Sequence, residues 1–313
     1  MWDEFAYRLS KNKAARQVVT PLLRTYLRYC PIAAGKETLW TRVVNPYLAW
    51  HSRPFIARTV FGRRLAGDTR DMIQQYIYFF GLWEPELTAW IASRLSPRDV
   101  FIDVGANIGY YSLLASTLVG KSGAAVAIEA SPAIFRQLQE NIARNAVANV
   151  RTINVAVSDR KGTVPLFRGP DHNAGETSMF PAAGFIPDGA VESARLEEIL
   201  EHKELASARL IKIDIEGAER FVVPSIGSLL RSCRDDLELI VEFHPQYLTE
   251  PGHGADDLVK LVNASGFHAY RLENSYWPFN GTSDSAHKQP VRLRAPIQGE
   301  TVIVFSRKDS ESL

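Results

Sequence analysis

Phe101 to Ser112 reads FIDVGANIGYYS, and this stretch decides the fold. A short apolar run ends in Asp103, a loop carries Gly105 and Gly109, and a helical pattern starts at once. Continuous apolar runs closed by Asp and Gly are typical of strands buried on both faces. Glycine permits the tight turn and lets a ligand approach the backbone, while the following helix offers unsatisfied N–H groups. Asn107 to Val119 reads as that helix, closed by Gly120.

Working outward, the same grammar repeats. AAVAIEA (124–130) is a second buried strand, SPAIFRQLQENIARNA a helix opened by a Ser–Pro cap signal, and VRTINVAV (150–157) a third strand. After an interruption at 158–190, a helix is predicted near 195–205, a strand at 209–215 and a helix around 218–231. A strand at 237–243, a helix from Asp256 to Ser265 and late strands at 267–272 and 301–307 complete the run. Strands alternating with helices of this length indicate βαβ units and a parallel sheet. The polar, Gly/Pro-rich segment 158–190 is too long for a bare connection and reads as a lid or binding loop. Upstream, Lys13 to Tyr29, Asp71 to Phe80 and Pro85 to Leu95 carry helical periodicity, and 36–66 reads as irregular and partly helical. The domain division predicted is 1–96, a basic, mainly helical extension and approach segment, followed by 97–313.

Composition fits a globular protein, with 46% apolar and 23% charged residues. Two distant cysteines, Cys30 and Cys233, exclude a disulfide framework or Cys zinc site. The charge is uneven: residues 1–70 carry 13 Lys and Arg against 4 Asp and Glu, whereas the remainder is net acidic. The basic segment is read either as a solvated helical extension docked on the acidic part or as a peripheral contact with an anionic membrane surface. No apolar run approaches the roughly 20 residues of a membrane span. The opening MWDEFAYRLSKNKAARQ lacks the apolar core and small-residue cleavage site of a secretory signal, so a cytoplasmic location is expected, either free or peripheral to a membrane.

Four features carry chemistry. In the first loop the dinucleotide pattern G-x-G-x-x-G is absent, and Asp103 would repel a pyrophosphate. The acid suits a ligand bearing an ammonium, and S-adenosylmethionine carries both an ammonium and a sulfonium. Glu129, at the end of the second strand and 20 residues after Gly109, can accept hydrogen bonds from a ribose diol. Asp214 and Glu216 lie at the carboxyl end of the strand in IKIDIEGAE, and Glu242 and His244 at the end of the following strand in IVEFHP. Open α/β sheets bind ligands at these strand ends, so three carboxylates and an imidazole are expected to converge if the two strands are neighbours.

FIDVGANIGYYS, AIEASP, NIARN, AVSD, IKIDIEGAE and VEFHP, in this order and spacing, resemble the FkbM-type class I methyltransferases over roughly residues 60–306. The resemblance implies a doubly wound, mostly parallel seven-stranded Rossmann-like sheet with its final strand antiparallel. It also implies O-methylation of a sugar, polyketide or other small-molecule hydroxyl with S-adenosylmethionine as donor. Carried over residue by residue, Asp103, Gly105, Asn107 and Gly109 would line the methionine and ribose part of the cofactor, and Glu129 would hold the ribose. Ala156 would lie against adenine, where other class I enzymes often have an acid, so that contact falls to backbone. Asp214 would lie near the cofactor amine or the acceptor.

Transfer to a hydroxyl needs a base. His244 is the first candidate, as a neutral imidazole, with Asp214 or Glu216 second. Asp214, Glu216, Glu242 and His244 also form an oxygen-rich set compatible with Mg²⁺ or Mn²⁺, although the same four can form a plain hydrogen-bond network. The loop aromatics Tyr276, Trp277 and Phe279 are read either as a platform for a sugar ring or as a satellite core. Two rival functions are a scaffold that keeps the fold without activity and a methyltransferase for a nitrogen or nucleic-acid acceptor. The second is disfavoured by the absence of a Pro–Pro loop and by net acidity beyond residue 70.

Overall fold

A computed structural model of the 313-residue chain describes residues 2–169, 177–181, 184–223, 230, 233–248, 254–277, 279 and 288–313. Its centre is an eight-stranded sheet. In chain order the strands of the whole molecule are β1 (Pro54–Arg58), β2 (Arg64–Asp68), β3 (Val100–Val104), β4 (Ala124–Glu129), β5 (Val150–Asn154), β6 (Ala156–Val157) and β7 (Gly162–Arg168). They continue with β8 (Thr177–Ser178), β9 (Ile186–Ala194), β10 (Ala208–Ile213), β11 (Glu238–Phe243), β12 (His268–Leu272), β13 (Val291–Arg292) and β14 (Thr301–Ser306). The central order is β13-β12-β14-β11-β10-β3-β4-β5. Strands β5, β4, β3, β10 and β11 run parallel, and β14 lies antiparallel between β11 and β12. This is the doubly wound sheet with an antiparallel last strand that the sequence implied; the eighth member is the two-residue edge strand β13, too short to leave a periodic signal.

Helices cover both faces because the strands are apolar on both. One face, carrying Ile102, Val104, Val126, Ile128, Ile211 and Val241, packs against α8 (Leu196–Ile199), α9 (His202–Ala206) and the helix Ala255–Asn263. The other carries Phe101, Ala125, Ala127, Leu210 and Ile240. It packs against α4 (Met72–Phe80), α5 (Pro85–Arg94), α6 (Tyr110–Val119) and α7 (Pro132–Arg144). α7 starts where Ser131 caps it and Pro132 occupies the first turn, and α4 starts where the Asp71 side chain accepts the Gln74 N–H at 3.0 Å. Leu87, Trp90 and Ile91 of α5 share one core with the sheet, so packing continues across the expected boundary at 96/97.

Several local expectations change. The predicted third strand breaks at Val155: β5 belongs to the central sheet, while β6 pairs with β9 in a separate four-stranded sheet of order β6-β9-β7-β8. The segment read as a long loop, 158–190, therefore contains most of a β excursion built on the antiparallel pair β7–β9. Its polar, Gly/Pro-rich composition hid this, because one face of the small sheet is solvated. The 36–66 stretch contains α3 (Lys36–Leu39), a run of π-helical turns at Trp40–Leu48, and the hairpin β1–β2. The predicted helix at 195–205 is split into α8 and α9, and the one predicted at 218–231 is described only as far as residue 223.

At the amino terminus, α1 (Trp2–Lys11) and α2 (Lys13–Tyr29) lead into this layer. Part of the basic charge there is structural. Arg24 donates to the Tyr78 carbonyl at 2.5 Å, Arg28 to the Arg58 carbonyl, and Arg53 to the Arg16 carbonyl at 3.1 Å. Among the described residues no helix is long and apolar enough to cross a membrane.

Candidate active site

The carboxyl ends of β3, β4, β10 and β11 open into a cavity of about 200 Å³. The loop after β3 forms its floor. Gly105 has φ +83°, and a Cβ there would stand 1.8 Å from the Asp214 carbonyl oxygen, so glycine is required by the neighbouring strand end. Asn107 is left-handed at φ +49°; its side chain accepts the Ile108 N–H at 2.7 Å and its own N–H donates to Glu129 Oε2 at 2.9 Å. The second Glu129 oxygen accepts the Ser131 N–H at 2.9 Å. Burial pushes the Glu129 carboxyl up to about 7 despite these two donors, with the Asp103 and Asp214 charges adding to the rise.

Gly105, Asn107, Glu129, Ala156, Asp214, Glu216, Glu242 and His244 all line the cavity. Two expected members do not. Gly109, at φ +90°, abuts Leu138 of α7, where a Cβ would be 2.6 Å from Leu138 Cδ1; it sets the packing of α6 on α7. Asp103 is buried behind the floor, where Oδ2 accepts the Ser112 hydroxyl at 2.6 Å and Oδ1 has no hydrogen-bond partner among the described residues. Burial pushes its carboxyl up to about 6. The excursion 156–179 supplies a wall through Val157, Leu166, Thr177 and Met179.

The register of the sheet explains the electrostatics. Lys212 of β10 stands opposite Asp103 of β3 and Ile240 of β11. Side chains two apart on a strand share a face, so Asp103, Lys212, Asp214 and Glu242 project on the side of α4 to α7. Lys212 Nζ donates to Asp214 Oδ2 at 2.7 Å and lies 5.1 Å from the centre of the Tyr111 ring. Above it, the Tyr111 hydroxyl donates to Glu84 at 2.5 Å, and Asn274 donates to the other Glu84 oxygen. Burial disfavours the Lys212 ammonium, but Asp214, Asp103, Glu242 and Glu84 outweigh it and raise its pKa. For Asp214, burial is likewise outweighed, by Lys212 and His244, and the carboxyl is held below its ordinary value. Burial pushes Glu84 up to about 7 and Glu242 well above the usual carboxylate range. One ammonium thus serves four buried carboxyls.

His244 is 5% exposed. Its Nε2 is 3.4 Å from Glu216 Oε2 and its Nδ1 3.7 Å from Glu219 Oε1. Burial lowers its pKa, yet Glu219, Glu216 and Asp214 together push it up to about 10. With these neighbours the ring is an imidazolium at neutral pH, which does not suit the neutral base read from the sequence. At the mouth, the Tyr276 ring stacks on Trp83 with centroids 5.1 Å apart, and its hydroxyl bonds Glu300 and lies 3.4 Å from Glu242 Oε1. Trp277 and Phe279 instead join the satellite core around Trp40 and Phe79. The alternatives left open for the loop aromatics therefore divide between residues.

Lys212, Glu84, Trp83, Glu219 and Glu300 were missed from the sequence. Lys212 had a signal, a cation flanked on both sides by apolar residues in LIKI (210–213). Glu84 had none, since its left-handed backbone at φ +43° follows from tertiary packing.

The sequence pattern described as the Methyltransferase FkbM domain matches residues 103–269, from the acid at the end of β3 into β12. The chain belongs to the FkbM methyltransferase family. It is 30% identical over 164 residues to the 31-O-demethyl-FK506 methyltransferase FkbM of Streptomyces tacrolimicus, covering 42% of this chain and 61% of that protein. The chain thus spans about three fifths of that relative's length. It is 28% identical over 180 residues to the hexuronic acid methyltransferase AglP of Haloferax volcanii, covering 58% of this chain and 68% of the relative. Among solved structures it is similar to Aeropyrum pernix fibrillarin with natively bound S-adenosyl-L-methionine, at TM-score 0.41 and 13% identity over 84% of this chain and 85% of that one. Trm5b of Pyrococcus abyssi gives TM-score 0.42 and 15% identity over 81% and 55%. At these scores the likeness is loose.

Proposed function

We propose that this protein transfers a methyl group from S-adenosylmethionine to a hydroxyl oxygen of a small, ring-bearing acceptor of the sugar or polyketide kind. The observation that carries this is the cavity lining, in a chain of this family: six carboxyl side chains, Glu84, Glu129, Asp214, Glu216, Glu242 and Glu300, and, among the described residues, no Lys or Arg. Such a lining suits a ligand with two cationic centres and repels a phosphate backbone, which disfavours a nucleic-acid acceptor.

The residues present fit the cofactor. Glu129 would accept the ribose hydroxyls, Gly105 and Asn107 would face the methionine part, and Ala156, Val157 and Met179 would wall the base. Asp214, already ionised, is suited to the cofactor amine. When bound, the cofactor supplies a methyl on a sulfonium, a good leaving group.

The protein then has two tasks, positioning and handling one proton. The Tyr276–Trp83 stack and the Met72 and Ile73 side chains form the apolar part of the mouth where an acceptor ring would rest. As the acceptor oxygen bonds the methyl carbon, the carbon–sulfur pair returns to sulfur and the hydroxyl proton passes to a carboxylate, Glu216 or Asp214. His244, held between Glu216 at 3.4 Å and Glu219 at 3.7 Å, positions the Glu216 carboxylate. A positioned base of this kind is typically worth about 10²–10⁴-fold.

The test is methyl transfer from isotopically labelled cofactor to a pool of glycans, glycolipids and hydroxylated natural products, with products identified by mass spectrometry. Labelled methyl ethers are expected. Label found on nitrogen, or on nucleic acid, would overturn the acceptor class.

A further inference from the structure

We propose that Asp214, Glu216 and His244 bind one hard divalent cation, Mg²⁺ or Mn²⁺, at the acceptor side of the cavity. The proposed role of that cation rests on the methyl-transfer reading; its binding does not. One ligand atom from each of the three residues lies within 4.8 Å of those of the other two, and Glu242, His244 and Glu300 form an overlapping group of the same size. The donors come from the ends of two hydrogen-bonded parallel strands, β10 and β11, so the sheet itself fixes their spacing.

One further observation points to a ligand: the support behind His244. Glu219 is fully buried, neither of its oxygens accepts a hydrogen bond among the described residues, and Oε1 faces Nδ1 of His244 at 3.7 Å. A carboxylate behind an imidazole fixes the proton on the nitrogen it faces and aims the other nitrogen's lone pair at a metal. Here that nitrogen, Nε2, faces Glu216. Glu216 lines the cavity from a turn with φ +48°, and the Ser178 hydroxyl donates to its carbonyl at 2.9 Å.

The donor chemistry selects the ion. Carboxylate oxygens with one imidazole and no thiolate suit Mg²⁺ or Mn²⁺. Among the described residues the cavity lining holds no Lys or Arg, while Lys212 Nζ sits on Oδ2 of Asp214 from behind it, 2.7 Å away. A cation there would take the place of a proton on His244 Nε2. With Asp214 and Glu216 engaged as its ligands, the cation would polarise the acceptor O–H, and the proton would leave to water at the mouth instead of to either carboxylate, while the oxygen stays on the cation until the carbon–oxygen bond forms.

The experiment uses the full chain, stripped with EDTA and dialysed, and Mn²⁺ alone as the probe, with free ion followed by electron paramagnetic resonance. Saturation at one Mn²⁺ per chain is expected. Glu216→Gln and His244→Ala should abolish it, and Glu219→Gln should weaken it by about 10–100-fold. S-adenosylmethionine binding, measured by calorimetry on each protein, reports that the fold is intact. No Mn²⁺ binding by the wild type, or binding unchanged in Glu216→Gln and His244→Ala, overturns the site. Cofactor binding without Mn²⁺ binding removes the cation site and leaves the methyl-transfer reading standing; Mn²⁺ binding without cofactor binding does the reverse.

Discussion

Replacing Lys212 by Met keeps the length and apolar stem of the side chain and removes its charge. The ammonium is 3% exposed, 2.7 Å from Asp214 Oδ2, and flanked by Asp103, Glu84 and Glu242. Removing one partner of a buried ion pair costs about 3–5 kcal/mol, because the other charge stays behind uncompensated. The cost must also depend on pH. Lys212 holds Asp214 below its ordinary value, so that the pair stabilises the fold above the unfolded carboxyl pKa and loses this as pH falls through the folded one. Without Lys212, burial would raise Asp214 above the unfolded value, and the penalty would grow with rising pH. Urea unfolding followed by circular dichroism, at pH 5.5 and pH 8 (conditions set at roughly either side of the buried carboxyls' range), should show a larger loss at the higher pH. Adding Asp214→Asn should restore a large part of it, since the two residues touch. A loss below about 1 kcal/mol at both pH values, or one independent of pH, would refute the claim that a single ammonium holds this cluster together.

Further outcomes are expected at Glu129, at two glycines and at Tyr276. Glu129, pushed up to about 7 by burial, is protonated below that value, so cofactor affinity should rise as pH increases through it. Calorimetry should show this in the wild type and a flat, weaker profile in Glu129→Gln. The same raised value means that ionising Glu129 costs stability between its ordinary pKa and about 7, so the unliganded protein should lose some stability over that window in urea titrations. Gly105→Ala sets a Cβ 1.8 Å from a backbone oxygen at positive φ and should cost more than about 2 kcal/mol and cofactor binding; Gly109→Ala, meeting a Leu138 methyl, should cost about 1–3 kcal/mol and retain binding once folded. Tyr276→Ala should weaken acceptor KM by about 3–10-fold, the worth of an aromatic stack, and leave the cofactor Kd unmoved.

The central sheet was legible because its strands are buried on both faces and announce themselves as apolar runs, each closed by the acid or glycine that meets the cavity. For the same reason Glu129, Asp214, Glu216, Glu242 and His244 could be placed: position at a strand end suffices. What could not be read depends on neighbours distant in sequence. Glu84 reaches the site because α5 packs on the sheet, and Glu219 because it folds back beneath His244. The four-stranded excursion was missed because its strands face solvent on one side and pair over long separations, leaving no periodic apolar trace. Gly109 shows the converse error. It was assigned to the ligand because ligand loops contain glycine, yet Leu138 is what requires it. His244 shows that a residue's type does not set its state: three carboxylates, none of them from its own strand, raise its pKa to about 10.

The most direct test of the central claim is a calorimetric titration of the full chain with S-adenosylmethionine, repeated on Glu129→Ala. The acidic cleft at the strand ends predicts saturable binding of one cofactor per chain, with affinity reduced at least about 10-fold in the variant, as for loss of a charge-assisted hydrogen bond. Absence of binding by the wild type, or equal binding by the variant, would contradict the account.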